Sequence, residues 1–259
     1  MTRASSATYV FALVVNRTTR RPPHPSVRLP GAGAVRLVAV KPTWSLVCCD
    51  VPMHGYGDAA LQARLSNLDW VSTVAMVHER VVAHFLAADA VLPMKLFTIF
   101  LADDRARADV LTREPEIHAV VKRVTRREEW GVRMATRHRP EPLAGTRATR
   151  HQVDTSGVEY LMRKKAQRDE ALSHATLARE AASDLFDRLA SLASEARRRP
   201  VSHLAPGTSP VILDATFLVP RTRASRLRAA AARQARALAA DGIEIDVTGP
   251  WPPYSFVQD

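Results

Sequence analysis

Tyr9-Val-Phe-Ala-Leu-Val-Val15 is an uninterrupted run of aromatic, β-branched and aliphatic residues. A strand with one wet face alternates apolar with polar positions; a run without polar positions reads as a strand buried on both faces. The run follows Arg3 and has the length of a signal-peptide core. It lacks a small-residue cleavage site, and the basic stretch Arg17 to Arg21 follows it, so a first strand explains it better than a leader does.

Working outward, Arg20 to Gly33 carries Pro22, Pro23, Pro25, Pro30, Gly31 and Gly33, an extended basic loop. Val35 to Val40 and Trp44 to Val51 are strand candidates joined by Lys41-Pro42-Thr43, a plausible hairpin. Asp58 is an N-cap candidate for a helix with Leu61, Leu65, Leu68 and Val71 on one face. The pattern continues to about Ala88, as one long helix or two abutting ones. Val91 to Leu101 reads as a strand with Pro93 at a start or edge position. Asp103 to Thr112 and Pro115 to Val124 are helical patterns, and Glu129 to Met134 alternates as a closing strand. The expected fold class is α+β, with an N-terminal ferredoxin-like sheet and helices on one face of it.

Pro140, Pro142 and Gly145 break the periodicity, and a long helix is predicted from about Val158 to Arg199. Its stripe of Leu172, Ala175, Ala178, Ala182, Leu185, Leu189, Leu192 and Ala196 steps by three or four. Val211 to Val219, Arg221 to Ala240 and Ile243 to Thr248 then read as strand, helix and strand, with Asp241-Gly242 as the helix stop. The domain division expected is therefore 1–137, a basic linker over 138–156, and 157–259 as a long helix plus a small α+β domain.

The charge is lopsided, Lys+Arg 37 against Asp+Glu 26 for a net +11. Such a field attracts polyanions and acidic partners without specificity and does not by itself decide function. The basic stretches lack interleaved aromatics and match no nucleic-acid module, so no specific nucleic acid is expected as partner. A basic nucleic-acid-binding protein is kept as the alternative reading. No segment reaches the roughly 18 apolar residues of a membrane helix, and no membrane partner is expected. Adjacent Cys48 and Cys49 make neither a disulfide framework nor a zinc site and read as reduced thiols of a cytoplasmic protein. The histidines show no metal-ligand spacing, and no phosphate loop, dinucleotide fingerprint or nucleophile elbow is present. We therefore expect no catalytic, cofactor-binding or metal site, and no enzyme.

Five segments carry a resemblance. Leu68-Asp-Trp70, His78-Glu-Arg80 and Val91-Leu-Pro-Met-Lys95 resemble an "LxWL…HxxV…VLPxRFGT" core, and Glu129-Trp-Gly-Val132 resembles an "EWGvK" strand. Ser156-Gly157-Val-Glu-Tyr160-Leu161 resembles the "GxxYLxxK" opening of a long helix. Leu213 to Pro220 resembles an "LNxAYLV" strand, with Asp214 for its Asn, and Thr248-Gly-Pro-Trp-Pro-Pro-Tyr-Ser-Phe256 matches a terminal "TGPWPPYxF". In this order and over nearly the whole chain they are similar to the gas vesicle L/F family of accessory proteins. One departure stands out: Lys95-Leu96-Phe97 replaces an Arg-Phe-Gly.

The resemblance implies an N-terminal ferredoxin-like domain and a C-terminal α+β domain. It implies a minor component or assembly factor of gas vesicles, whose partners are the small hydrophobic shell subunit and other accessory proteins. Leu92, Pro93, Met94, Lys95 and Phe97 are our expected partner-facing edge. Trp70, Trp130, Tyr160, Trp251, Tyr254 and Phe256 are expected as structural groups, the C-terminal aromatics folding back onto the small domain.

Overall fold

The computed structural model describes residues 6–16, 25–136, 157–201 and 209–257. The linker expected over 138–156 and the basic stretch Arg17 to Arg21 lie outside the described residues. The fold is α+β and forms two compact units, residues 1–129 with 250–259, and residues 130–249.

In the first unit, β1 (Ser6–Val15) lies between β3 (Trp44–Pro52) on one edge and β4 (Ala90–Pro93) with β5 (Ile99–Phe100) on the other. β2 (Arg36–Lys41) pairs outside β3 as the expected hairpin. The order β4-β1-β3-β2 with antiparallel pairing is that of a ferredoxin-like sheet. Every residue from Ala7 to Val15 is buried, in agreement with the absence of polar alternation. A bulge in the β1–β3 register between Val10 and Ala12 shifts the pleat. Tyr9, Phe11, Ala12 and Val14 consequently all enter one core.

The helices divide between the two faces of this sheet, not on one face as expected, because β1 is apolar on both sides and each side must be covered. On the Tyr9 face are α1 (Met53–Tyr56), α2 (Asp58–Arg64) and α3 (Leu68–His84), whose Val74, Val81 and Val82 share the core with Phe85. The break between α2 and α3 is set by Asn67, whose side chain accepts the Trp70 amide at 3.0 Å and caps α3. Asp58 is the first residue of α2 rather than its cap. Gly57 holds the cap position, where a Cβ would lie 2.7 Å from the Met53 carbonyl oxygen.

On the Thr8 face are α4 (Asp103–Thr112) and α5 (Glu114–Val124). Asp103 accepts from Thr8 Oγ1 at 2.7 Å and from both terminal nitrogens of Arg36 at 2.6 and 2.8 Å, and Arg36 also reaches Asp50 at 2.6 Å. The fork pulls Asp103 below its usual pKa and ties three strands to the start of α4. Asp103 thus serves both the helix dipole, as an acidic residue in the first turn of α4, and the sheet.

The second unit is a four-stranded sheet ordered β7 (Glu195–Arg198), β8 (Val211–Pro220), β6 (Arg127–Thr136), β9 (Ile243–Trp251). α6 (Gly157–Ala190) and α7 (Ala224–Leu238) cover one face through Ala178, Ala182, Leu185, Leu189, Leu227 and Ala231. Two expectations are corrected here. The alternating Glu129–Met134 segment does not close the first sheet. It lies in β6, and its Trp130, Val132 and Met134 match the apolar face of this second core. The long helix stops at Ala190 instead of Arg199. The Ser194 amide bonds the Leu218 carbonyl and Glu195–Arg198 pairs with β8, because edge pairing satisfies backbone groups that a surface helix end would leave open.

The C-terminal aromatics are a third correction. Pro250–Asp259 belongs to the first unit, with Tyr254 packed on the β1 core and Phe256 fully buried. Ser255 fixes this tail by donating its amide and hydroxyl to the Glu129 carboxylate, each at 2.7 Å.

A candidate partner-binding groove on the first sheet

Leu92, Pro93, Met94 and Lys95 line one wall of a groove of about 720 Å³. Ile117 and Val120 of α5 form the opposite wall, with Leu13 and Val257 also lining it. Leu92 and Pro93 are buried within β4, Met94 is half-buried and Lys95 exposed. The apolar lining is flanked by Lys95, Arg113 and Arg123, with Glu116 as the one carboxylate among its lining residues. Arg113 also pairs with Asp109 one helical turn before it.

The lip at 94–98 is clamped to β1 at both ends. Met94 donates its amide to the Phe11 carbonyl at 2.9 Å, and Val10 donates to the Thr98 carbonyl at 2.9 Å. Between them the chain turns, with Thr98 amide and hydroxyl both on the Lys95 carbonyl. One strand was expected across Val91 to Leu101, and this turn splits it into β4 and β5.

Phe97 sits at the turn with φ 63°, a left-handed conformation that costs a residue with a Cβ about 1–2 kcal/mol. It occupies the place of the glycine in the Arg-Phe-Gly pattern. It is not among the groove-lining residues: its ring stacks on Trp70 at 5.6 Å and 8°. Of the five expected partner-facing residues, four line one groove and the fifth supports it from behind. The backbone strain predicts a stability order. Phe97→Gly, which relieves the torsion, should be about 1 kcal/mol more stable than Phe97→Ala, which keeps the strain and loses the stack, in denaturant titrations.

Behind the lip, Tyr9 Oη accepts the Phe97 amide at 3.3 Å and lies 2.8 Å from His78 Nδ1. Burial lowers His78 to about 4, only partly offset by the Met94 backbone, and raises Tyr9. Both are therefore neutral at pH 7, and the Tyr9 hydroxyl donates to Nδ1, which leaves the proton of the imidazole on Nε2. The Tyr9 hydroxyl thus joins the Phe97 amide to the His78 ring, so the turn, strand and α3 form one unit. The arrangement positions the backbone of the turn. Cys48 and Cys49 are both buried and unbridged, with burial raising each to about 12.

The structural aromatics separate into two groups. Trp130 is buried under the Arg228 guanidinium (5.6 Å), Trp70 is half-buried against Tyr56, and Tyr254 and Phe256 pack as described. Trp251, expected to pack, is 38% exposed, and Tyr160 of the long-helix motif is 49% exposed. The α5 wall was not anticipated. Its signal is Val120, an apolar residue beside the buried stripe of Ile117, Val121 and Val124 instead of on it. Among the described residues no helix is long and apolar enough to cross a membrane, and no group of three His, Cys, Asp or Glu could hold a metal ion.

A protein-family model described as "Gas vesicle synthesis protein GvpL/GvpF" matches residues 7–258. The chain is 29% identical over 224 residues to gas vesicle protein L of Streptomyces sp. strain CB03234, covering 80% of this chain and 77% of that one. Its fold is similar to the crystal structure of GvpF from Anabaena sp. PCC7120, with a TM-score of 0.66, 16% identity and coverage of 98% and 97% of the two chains. It is similar also to that of GvpF from Microcystis aeruginosa, with a TM-score of 0.58, 12% identity and coverage of 98% and 99%.

Proposed function

The chain belongs to the GvpL/GvpF family of gas vesicle synthesis proteins, and from that premise we propose that it is a non-enzymatic assembly factor. It acts in the cytoplasm and at the vesicle by binding the small hydrophobic shell subunit and other accessory proteins, as a minor structural component or a chaperone-like partner. The observation that carries this reading is the groove between Leu92–Lys95 and α5. A subunit that polymerises into a water-excluding wall must have its apolar surface covered until it is incorporated. An apolar cleft beside a short edge strand, with its lip held in place, can receive an apolar strand or helix at low ordering cost.

The test is a pull-down of the tagged chain, nuclease-treated, with the shell subunit co-expressed, washed at low and then high salt. Capture through apolar burial persists at high salt. Val120→Glu, which places a carboxylate in the groove at a half-exposed helix position, should reduce capture at least ~10-fold without loss of fold, because an apolar segment docked there must strip water from the charge. The basic surface supports one other reading, nucleic-acid binding. Recovery of nucleic acid alone before nuclease treatment, lost as salt rises, would favour it over the assembly role.

A further inference from the structure

The second unit carries a feature that groove binding leaves unexplained. From Arg221 to Ala240 the sequence contains six arginines, no lysine and no acidic residue. Arg228 lies over Trp130, whereas Arg223, Arg226, Arg233 and Arg236 are exposed, and none of the four is in an ion pair among the described residues.

Their arrangement works against α7 itself. Arg223–Arg226 and Arg233–Arg236 are like charges one turn apart, which destabilises a helix by a few tenths of a kcal/mol per pair. Arg223 and Arg226 also sit at the helix start, where the dipole disfavours cations, with no acidic residue in the first turn and no side-chain cap. Local choices that oppose the local fold mark positions held for another reason.

Helical geometry puts Arg226, Arg233 and Arg236 on one face around exposed Ala229. The small residue leaves room for another backbone to approach, and three guanidinia can each fork onto a carboxylate. α7 has no aromatic side chain on which a base could stack. We propose that this face of α7 is a docking surface for an acidic helix of a partner protein, whose carboxylates supply the countercharge these arginines lack among the described residues. The inference stands independently of shell-subunit binding at the groove.

The test uses the full chain and an isolated helix-forming peptide with glutamates spaced to match Arg226, Arg233 and Arg236, followed by fluorescence anisotropy at physiological salt. The triple variant R226Q/R233Q/R236Q should weaken binding at least ~10-fold, with a melting temperature equal to or above that of the unaltered chain because the repulsion is removed. The charge-matched control R163Q/K164Q/K165Q, at exposed positions of α6, should weaken it less than ~3-fold by its smaller share of the long-range field. An equal loss in both variants, a fall in melting temperature of the first, or displacement of the peptide by a duplex oligonucleotide of equal charge at lower concentration would overturn the proposal.

Discussion

Replacing Phe256 by alanine should destabilise the first unit by about 3–5 kcal/mol, the usual cost of emptying a fully buried aromatic site. The effect is expected to be this large because the residue is completely enclosed and its backbone is held. The Phe256 amide bonds the Pro253 carbonyl, and Ser255 is bound twice to Glu129, so the tail cannot slide to fill the cavity. With marginal domain stabilities of 5–15 kcal/mol, a loss of this size removes a large share of the total. Chemical denaturation followed by near-ultraviolet circular dichroism measures it. The same experiment tests the chain's organisation, because the terminal residues complete the unit built from residues 1–129. A Phe256→Ala protein whose tryptophan environment near Trp70 melts as in the unaltered chain would show that the tail is dispensable there.

Acidification gives the second large effect. His78 titrates at about 4 in the fold against an ordinary 6.5. Its folded-state value is depressed, so nothing is lost above pH 6.5, where the imidazole is neutral in both states. As pH falls below 6.5 the unfolded chain takes up the proton first, and stability declines until about pH 4, below which both states are protonated and the loss levels off. At about 1.4 kcal/mol per unit the full effect is about 3 kcal/mol. Asp103, with its lowered pKa, adds its own loss only in the carboxylate range and below. The contribution of His78 is isolated by comparison with His78→Gln: between pH 7 and 4.5 the unaltered chain should lose about 2–3 kcal/mol more than the variant. Parallel stability curves would mean that His78 is not held neutral by its surroundings.

These effects arise where the sequence was partly opaque. β1 was legible because seven consecutive apolar residues leave no face for water, and the β2–β3 hairpin because Lys41-Pro42-Thr43 punctuates two strand-like runs. The two sheets were harder to separate. Alternation at Glu129–Met134 announces a strand but does not say which sheet receives it, since pairing is decided by non-local packing. The end of α6 was hidden because Leu192 and Ala196 continue the helical spacing past the last helical residue, Ala190. Trp251 shows the limit of reading aromatics as core: it stands at the end of a strand, on its exposed side.

The groove was half legible. Leu92 to Lys95 could be singled out as an edge, because proline in a short apolar strand fits an edge position. Its second wall comes from α5, more than twenty positions away, and no local pattern joins the two. Phe97 was singled out with the edge but does different work. Only the observed torsion and the parallel Trp70 ring show that it braces the lip. The Arg223–Arg236 stripe was visible as composition from the start. That it lies exposed along one helix, in no ion pair among the described residues, required the structure.

The most direct measurement places a photo-crosslinking residue at Lys95 or Glu116, one on each side of the groove, and at exposed Leu68 as a control, in cells that also produce the shell subunit. After irradiation, mass spectrometry identifies what is joined to each position. The expected result is crosslinking to the shell subunit from positions 95 and 116, retained in high-salt washes and absent from position 68. Crosslinking at position 68 equal to that at the groove, or none at 95 and 116 while the shell subunit still co-purifies, would contradict shell-subunit binding at this surface.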